Sequence, residues 1–241
     1  MIGREAWVRV EANCERLEEN DLNDHDIEDD VEPRVRIAVH HSAAAVSSAE
    51  LKLDDEAAKE RVKQLLCGIR KYHMGIVKTR TVGKGARRRQ VEVHVGGHDW
   101  QDIGYHFVID WRGNVWEGRK LEKLGAHVKN NNNGSIGVAL LGNFQTQKPT
   151  PEQLRSLKQL LAYLVYANKI DPGGIQGHGD LAVEGRKTEC PGVYLSRKGE
   201  DKLKYDEKKA SPLRRIRERL KLLWERVPHA QSDEIKFASA D

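Results

Sequence analysis

The sequence predicts an α/β fold: a single domain with a central mixed β-sheet flanked by helices, plus an inserted basic hairpin and a C-terminal helix. Strand-like segments alternate along the chain with amphipathic helical segments. Short hairpins and longer helical crossovers both connect the strands, and these connections produce antiparallel and parallel pairs respectively. The combination favours a mixed sheet with helices packed on it.

Composition divides the chain into three parts. Residues 1–33 form a polar N-terminal extension rich in Asp and Glu, and residues 34–196 carry the interleaved strands and helices. Residues 197–241 form a basic tail with one predicted helix. A chain of 241 residues has room for one full domain with extensions or for two small domains. We expect one domain over 34–196.

The first half of this domain contains a strand, a helix and a hairpin. Apolar and polar residues alternate over 35–40, which predicts a strand that ends at His40. Apolar side chains at helical spacing over 54–73 predict an amphipathic helix that stops near Gly75. Residues 76–98 hold two strand-like runs around a tip rich in Gly, Lys and Arg, which predicts the inserted basic hairpin.

The second half adds a hairpin over 105–119 and an apolar run over 135–141 that is typical of a buried strand. Thr150-Pro151 begins a helix, because threonine is a good cap and proline suits the first turn. A short strand then ends at His178, and Ser211-Pro212 begins the tail helix in the same way. The apolar stripe of this helix consists of Leu213, Ile216, Leu220, Leu223 and Val227. We expect the stripe to pack on the domain or a partner rather than on a membrane.

Charge is unevenly distributed, although the formal net charge is only +4. The stretch Glu15–Glu32 is acidic, whereas Lys84–Arg89 and Lys208–Arg226 are basic. A basic patch is either a solvated surface or a contact to an anionic polymer, lipid or nucleic acid. No apolar run approaches the roughly eighteen residues that span a membrane, so we expect no transmembrane segment.

Two histidines end predicted strands, His40 and His178, and Cys190 follows twelve residues after the second. Zinc favours histidine nitrogen and cysteine sulfur, and catalytic zinc commonly has three protein ligands. Spacing alone does not single out these three residues, because the chain has ten histidines. The odd number of cysteines argues against a disulfide framework, and Cys67 is expected in the core of a helix.

Six groups of short motifs follow one another in a fixed order. They are Val39–Ala43, Asp102–Phe107, Gly113–Arg119, Gly125–His127, Ser135–Val138 with Gly142–Phe144, and Gly177-His178 with Thr188–Gly192. In this order they resemble the type 2 N-acetylmuramoyl-L-alanine amidases, which include amidase-type phage lysozymes and the peptidoglycan recognition proteins. The resemblance covers residues 34 to 196, and several motifs in the right order make a chance match improbable.

The resemblance implies that His40, His178 and Cys190 hold a zinc ion. Zinc lowers the pKa of a bound water towards about 7 and polarises a carbonyl group. The implied reaction is hydrolysis of the amide bond between N-acetylmuramic acid and the L-alanine of the stem peptide. Tyr105 matches a catalytic tyrosine that stabilises the oxyanion, and Thr188 matches a position that is Lys or Thr in the family.

The resemblance also indicates residues that line the substrate groove, and the chain differs from the family pattern at several places. His127 and Asn132 match positions that line the muropeptide groove. The segment between His178 and Cys190 is longer than usual, so residues 182–186 are expected to bulge. Some members carry a carboxylate on the strand that here comprises residues 138–141, and its absence favours a scheme assisted by tyrosine or by the metal alone.

Two further histidines, His41 and His106, stand next to the candidate site residues in the sequence. Strand alternation predicts that both side chains point to the face of the sheet opposite the site.

Parts of the sequence are compatible with two other functions. Some relatives bind peptidoglycan without cutting it, and these have typically lost a zinc ligand, often the cysteine; here Cys190 is present. A nucleic-acid-binding protein would explain the basic segments but leave the histidines without a role, so nucleic acid is not the expected partner. Arg87–Arg89 is either a solvated tip or a contact to an anionic polymer. No secretory signal is visible, so we expect cytoplasmic synthesis with release to the cell wall by an unidentified route, or a processed secreted protein.

Overall fold

The computed structural model describes residues 1, 27–83, 85, 88–95, 98, 100, 102–182, 188–196 and 210–225. Most of the predicted N-terminal extension, residues 183–186 of the expected bulge, and much of the basic tail lie outside these ranges. The strands are β1 Arg36–His41, β2 Ile76–Val82, β3 Arg89–Val95, β4 Phe107–Ile109, β5 Val115–Glu117, β6 Ser135–Leu140 and β7 Ile175–Gly177. The helices are α1 Asp55–Met74, α2 Pro151–Ala167, α3 His178–Leu181 and α4 Pro212–Trp224.

Five strands form the central sheet in the order β5-β4-β6-β1-β7. Strands β4, β6, β1 and β7 run parallel to one another, and β5 at the edge of the sheet pairs antiparallel with β4. The sheet is therefore mixed, as predicted. Nearly every residue of the two central parallel strands, β1 and β6, is buried, because helices cover both faces of the sheet.

Two apolar clusters lie on opposite faces of the sheet. One contains Ile37 and Val39 of β1 together with apolar residues of α2 and α4. The other contains Val108 of β4 and Ala139 of β6 together with the inner face of α1. Since successive strand side chains point to opposite faces, His40 lies on the α1 side of the sheet.

The helix starts agree with the sequence prediction. The Asp54 side chain accepts a hydrogen bond from the Ala57 N–H and caps α1, which Gly75 ends. Thr150 and Gln153 form a reciprocal capping box at the start of α2. Each cap satisfies backbone N–H groups that have no partner inside the helix.

The tail helix α4 packs on the domain through Leu213 and Leu220, which confirms the prediction for this helix. One position of the predicted stripe is wrong: Leu223 is 41% exposed. Trp224 packs on the core in its place and contacts the Tyr166 ring. At 3.6 residues per turn, residue 224 lies about 20° from Leu213 around the helix axis, whereas residue 223 lies about 80° away, towards solvent.

Strands β2 and β3 form the predicted hairpin as a separate two-stranded antiparallel sheet, with Val82 paired to Arg89. Arg88 and Arg89 near its tip are exposed. Contact of this tip with an anionic polymer stays a prediction. None of the described helices is long and apolar enough to cross a membrane.

The end of the predicted extension, 27–33, packs against the domain. Ile27 is buried, and the Asp30 carboxylate accepts the Gly134 N–H at 2.9 Å and pairs with Arg34. Cys67 is buried in α1, as predicted, but it is also disulfide-bonded, which corrects the inference drawn from the odd number of cysteines.

Candidate metal centre and active site

His40 and His178 lie at the carboxyl ends of two neighbouring parallel strands. Val39 of β1 is paired with Gly177 of β7, so the next residue on each strand is a histidine at the same edge of the sheet. Their ring centroids are 4.6 Å apart. Side chains at this edge are held by a rigid sheet, and open α/β sheets commonly bind their ligands there.

Cys190 reaches the two histidines from a loop. Its carbonyl accepts the Gly179 N–H at 2.8 Å, which closes the loop onto the start of α3. Its Sγ lies 3.7 Å from His40 Nδ1 and accepts the backbone N–H of His41 at 3.3 Å. Gly192 supports the turn at φ +96°, where a Cβ would lie 2.3 Å from the Phe144 carbonyl carbon, so a side chain there would push the loop away.

The three side chains form a group of donor atoms that fits a zinc ion. One atom each of His40, His178 and Cys190 lies within 4.8 Å of the other two. In a tetrahedral zinc site a nitrogen and a sulfur are roughly 3.5 Å apart, given bond lengths of about 2.0 and 2.3 Å. The 3.7 Å between His40 Nδ1 and Cys190 Sγ is close to that separation. The structure thus brings together the three residues that the sequence analysis selected.

The electrostatics of the group keep the histidines neutral. Burial, together with His127 and His178, holds the His40 pKa well below its ordinary value. Burial also lowers the pKa of His178 and raises the pKa of the Cys190 thiol to about 12. The imidazole lone pairs are therefore available at neutral pH, whereas a cation must displace the proton of the thiol.

Tyr105 stands beside these residues. Its ring centroid is 5.1 Å from that of His40 and 5.4 Å from that of His73. The preceding Gly104 N–H donates to His73 Nδ1 at 3.0 Å, which anchors the tyrosine to α1. Burial raises the Tyr105 pKa far above its ordinary value, so the phenol keeps its proton and can donate a hydrogen bond.

A cavity of about 910 Å³ opens beside the candidate metal ligands. Tyr105, His127, Asn132, His178 and Thr188 all line it, so the structure brings five predicted site residues to one cavity. Thr188 Oγ1 accepts the backbone N–H of Cys190 at 3.2 Å. This bond uses an oxygen lone pair, and the hydroxyl proton can still donate.

An aromatic wall formed by Tyr72, His98 and Trp100 borders the same cavity. The His98 and Trp100 rings are stacked at 4.6 Å, and Tyr72 meets His98 edge-on at 5.3 Å. The backbone N–H groups of His98 and Trp100 donate to the His73 carbonyl, which fixes the wall to the end of α1. The sequence analysis missed this wall, although an aromatic residue two positions before the Asp102–Phe107 motif was a usable signal.

His127 and Asn132 face the cavity and also build its frame. His127 is only 6% exposed, and its Nδ1 lies 3.1 Å from His40 Nε2. Asn132 Oδ1 accepts the backbone N–H groups of His127 and Val128 at 3.0 and 2.8 Å. The side-chain oxygen of Asn132 thus holds the backbone of the loop at His127 and Val128, in addition to any contact that Asn132 makes with a ligand.

His41 and His106 have structural positions, as predicted, but only His41 lies on the opposite face of the sheet. The predicted face of His106 is wrong: its ring lies 5.8 Å from that of His127, on the side of His40, because β4 begins only at Phe107 and alternation does not extend back to Tyr105 and His106. His41 Nδ1 accepts the Phe144 N–H at 3.2 Å on the far face of the sheet. His106 is fully buried, and its Nδ1 accepts the Gly137 N–H at 2.9 Å. Both rings satisfy backbone donors, which accounts for polar side chains in the interior.

Known proteins share this sequence pattern and fold. Peptidoglycan-recognition protein SC2 of Drosophila melanogaster is 42% identical over 103 residues, which are 42% of this chain and 54% of that protein. An N-acetylmuramoyl-L-alanine amidase of Sus scrofa is 36% identical over 110 residues, which are 45% of this chain and 18% of that protein. The chain thus covers about half of the recognition protein and less than a fifth of the amidase.

Solved structures with the same fold include Drosophila peptidoglycan recognition protein SD, which superposes with a TM-score of 0.50 at 27% sequence identity. The match covers 69% of this chain and 79% of that protein's chain. A mutant of Drosophila PGRP-LB in complex with tracheal cytotoxin gives a TM-score of 0.51 at 25% identity, covering 69% and 80%. The family model described as N-acetylmuramoyl-L-alanine amidase matches residues 32–193, more than half of the chain. This chain therefore belongs to the N-acetylmuramoyl-L-alanine amidase family, to which it is linked by sequence, fold and the order of its motifs.

Proposed function

We propose that this chain is a zinc-dependent amidase that hydrolyses the bond between N-acetylmuramic acid and L-alanine in peptidoglycan. The observation that carries the proposal is the grouping of His40, His178 and Cys190 within 4.8 Å. Tyr105 lies beside them, in a cavity large enough for a muropeptide fragment. Two neutral imidazoles and a thiolate are ligands of the types that zinc favours, and catalytic zinc commonly has three protein ligands.

In this proposal zinc, when bound, supplies Lewis-acid activation of water and of the amide carbonyl. The protein supplies orientation and hydrogen bonds. The protonated Tyr105 hydroxyl donates to the carbonyl oxygen as negative charge develops on it. Thr188, on the same wall, offers a second and weaker donor, because its hydroxyl is neutral.

The described lining of the cavity contains no carboxylate. Ala139, the partner of His40 in the register of β1 and β6, carries only a methyl group. This composition supports a scheme in which Tyr105 and the metal assist the reaction without a strand carboxylate as general base. The aromatic wall supports binding of a sugar or peptide by packing against its apolar faces.

The alternative is a recognition module that binds peptidoglycan without cutting it. The aromatic wall favours binding, and the relatives include proteins named for recognition. Both functions use the same cavity. The presence of Cys190 next to His40 supports the enzyme, because binding alone needs no thiol at this position.

Digestion of purified sacculi with mass analysis of the released products tests the proposal. We expect free stem peptides with an L-alanine amino terminus, formed by the zinc-loaded protein and lost in the Cys190→Ala variant. Sacculi that are bound but not cut would support the recognition module instead. Cleaved glycan with intact lactyl amides would overturn the proposed bond specificity.

A further inference from the structure

A chain of hydrogen bonds runs from the candidate metal ligand His40 into the interior. His40 Nε2 lies 3.1 Å from His127 Nδ1, and His127 Nε2 lies 3.3 Å from the backbone carbonyl oxygen of Ser135. Ser135 is the first residue of β6, the strand that pairs with β1. The chain therefore begins and ends on the central sheet.

The last acceptor of this hydrogen-bond chain, the Ser135 carbonyl oxygen, determines which ring nitrogens of His127 and His40 carry hydrogen. The Ser135 carbonyl oxygen can only accept, so His127 Nε2 carries a hydrogen and donates it. In the neutral ring the other nitrogen, Nδ1, is then an acceptor, and it receives a hydrogen bond from His40 Nε2. His40 is consequently protonated on Nε2, and its Nδ1 lone pair faces Cys190 Sγ at 3.7 Å.

The position of the His127 ring is built into the fold. A Cβ at Gly125 would lie 2.6 Å from His127 Cδ2, and a Cβ at Gly137 would lie 2.5 Å from the same atom. The ring thus occupies space that two glycines leave open. Asn132 accepts the His127 N–H at 3.0 Å and holds its backbone as well.

We propose that His127 is a positioning residue that holds His40 in the Nε2–H tautomer and so presents His40 Nδ1 to the metal. This goes beyond the predicted role of His127 as a groove-lining residue, and it rests on the proposed function only in assuming a metal at His40. Histidine ligands generally donate their second N–H to an acceptor, and loss of that acceptor weakens metal binding by about 10- to 100-fold.

The test compares two variants of the full chain. His127→Phe fills the space but removes the acceptor, whereas His127→Asn keeps an acceptor oxygen near the position of Nδ1. We expect zinc affinity, measured by competition with a chromophoric chelator, to fall by about 10- to 100-fold in the first variant and to recover largely in the second. Gly137→Ala, which displaces the ring without removing it, should lower the affinity in the same direction.

The control is Trp116→Phe, which removes a buried hydrogen bond to Asp110 on the same face of the sheet, away from His40 and His127, and should leave zinc affinity unchanged in the folded protein. Nitrogen NMR shifts of His40 in the metal-free protein give a second readout. We expect the Nε2–H tautomer in the native chain and a mixture in His127→Phe. Circular dichroism checks that each variant is folded.

Native zinc affinity in folded His127→Phe would overturn the proposal, as would an Nδ1–H tautomer of His40 in the native chain. A change in KM for muropeptide without a change in zinc affinity would assign His127 to the groove alone. Failure of the amidase function is distinguishable, because the affinity and tautomer measurements need no turnover. If the native chain bound no zinc, the tautomer of His40 would decide whether His127 positions it.

Discussion

Arg70 donates a hydrogen bond from Nε to Asp102 Oδ1 at 2.6 Å, and the two side chains are only 2% and 1% exposed. The same carboxylate oxygen accepts the Ile103 N–H at 2.7 Å. This ion pair connects α1 to the segment that leads into Tyr105. The position of the tyrosine therefore depends on a buried charge pair as well as on the sheet.

Removal of the carboxylate charge should be costly, because the Arg70 guanidinium then stays buried with less opposite charge beside it. We expect Asp102→Asn to lower the free energy of unfolding by about 3 to 5 kcal/mol. Urea denaturation monitored by circular dichroism measures this change. Asp55→Asn is the control: Asp55 pairs with Arg112 at 2.6 Å but is 78% exposed, so its loss should cost about 1 kcal/mol or less. Equal costs for the two variants would contradict the assignment.

Cys190→Ala should remove stoichiometric zinc and amidase turnover together, since it deletes the only sulfur of the candidate donor group. Metal analysis after dialysis, alongside release of stem peptides, measures both. Glu189→Ala, a change at the exposed neighbouring residue, should retain the metal. A Cys190→Ala variant that kept one equivalent of zinc and the full rate would show that our set of ligands is wrong.

Tyr105→Phe should keep zinc and lose most of the rate, because only the hydroxyl donor is removed. Loss of one oxyanion donor typically lowers kcat by about 100- to 1,000-fold. The measurement is kcat on soluble muropeptide at matched zinc content. Tyr163→Phe, on an exposed part of α2, serves as the control. Unchanged kcat in Tyr105→Phe would exclude the tyrosine from the mechanism.

Acid should destabilise the fold through His106. Burial lowers the His106 pKa from 6.5 to about 3, so between these values the unfolded chain takes up a proton that the native chain does not. Above pH 6.5 the His106 ring is neutral in both states and does not lower the stability. As the pH drops from 6.5 towards 3, the free energy of unfolding falls by up to about 1.4 kcal/mol per pH unit, because only the unfolded chain takes up the proton. Urea denaturation at several pH values should show a smaller slope in His106→Asn. Identical slopes would mean that another group is responsible.

Patterns over a few neighbouring residues were enough to predict much of the architecture. The Thr150 cap, the Gly75 helix stop and the hairpin over 105–119 all depend on local backbone preferences, which a sequence displays directly. Strand alternation also separated His40 from His41, because adjacent strand residues point to opposite faces. The order of the motifs predicted the family.

Only the tertiary structure decided the contacts that depend on how distant segments meet. The sequence showed neither the disulfide at Cys67 nor the outward position of Leu223. It placed His127 in the groove, whereas the fold also brings this ring, 87 positions along the chain, to hydrogen-bond distance of His40. That contact requires the register of β1 and β6 and the space beside Gly137. Such distances follow from packing in three dimensions, and no local pattern encodes them.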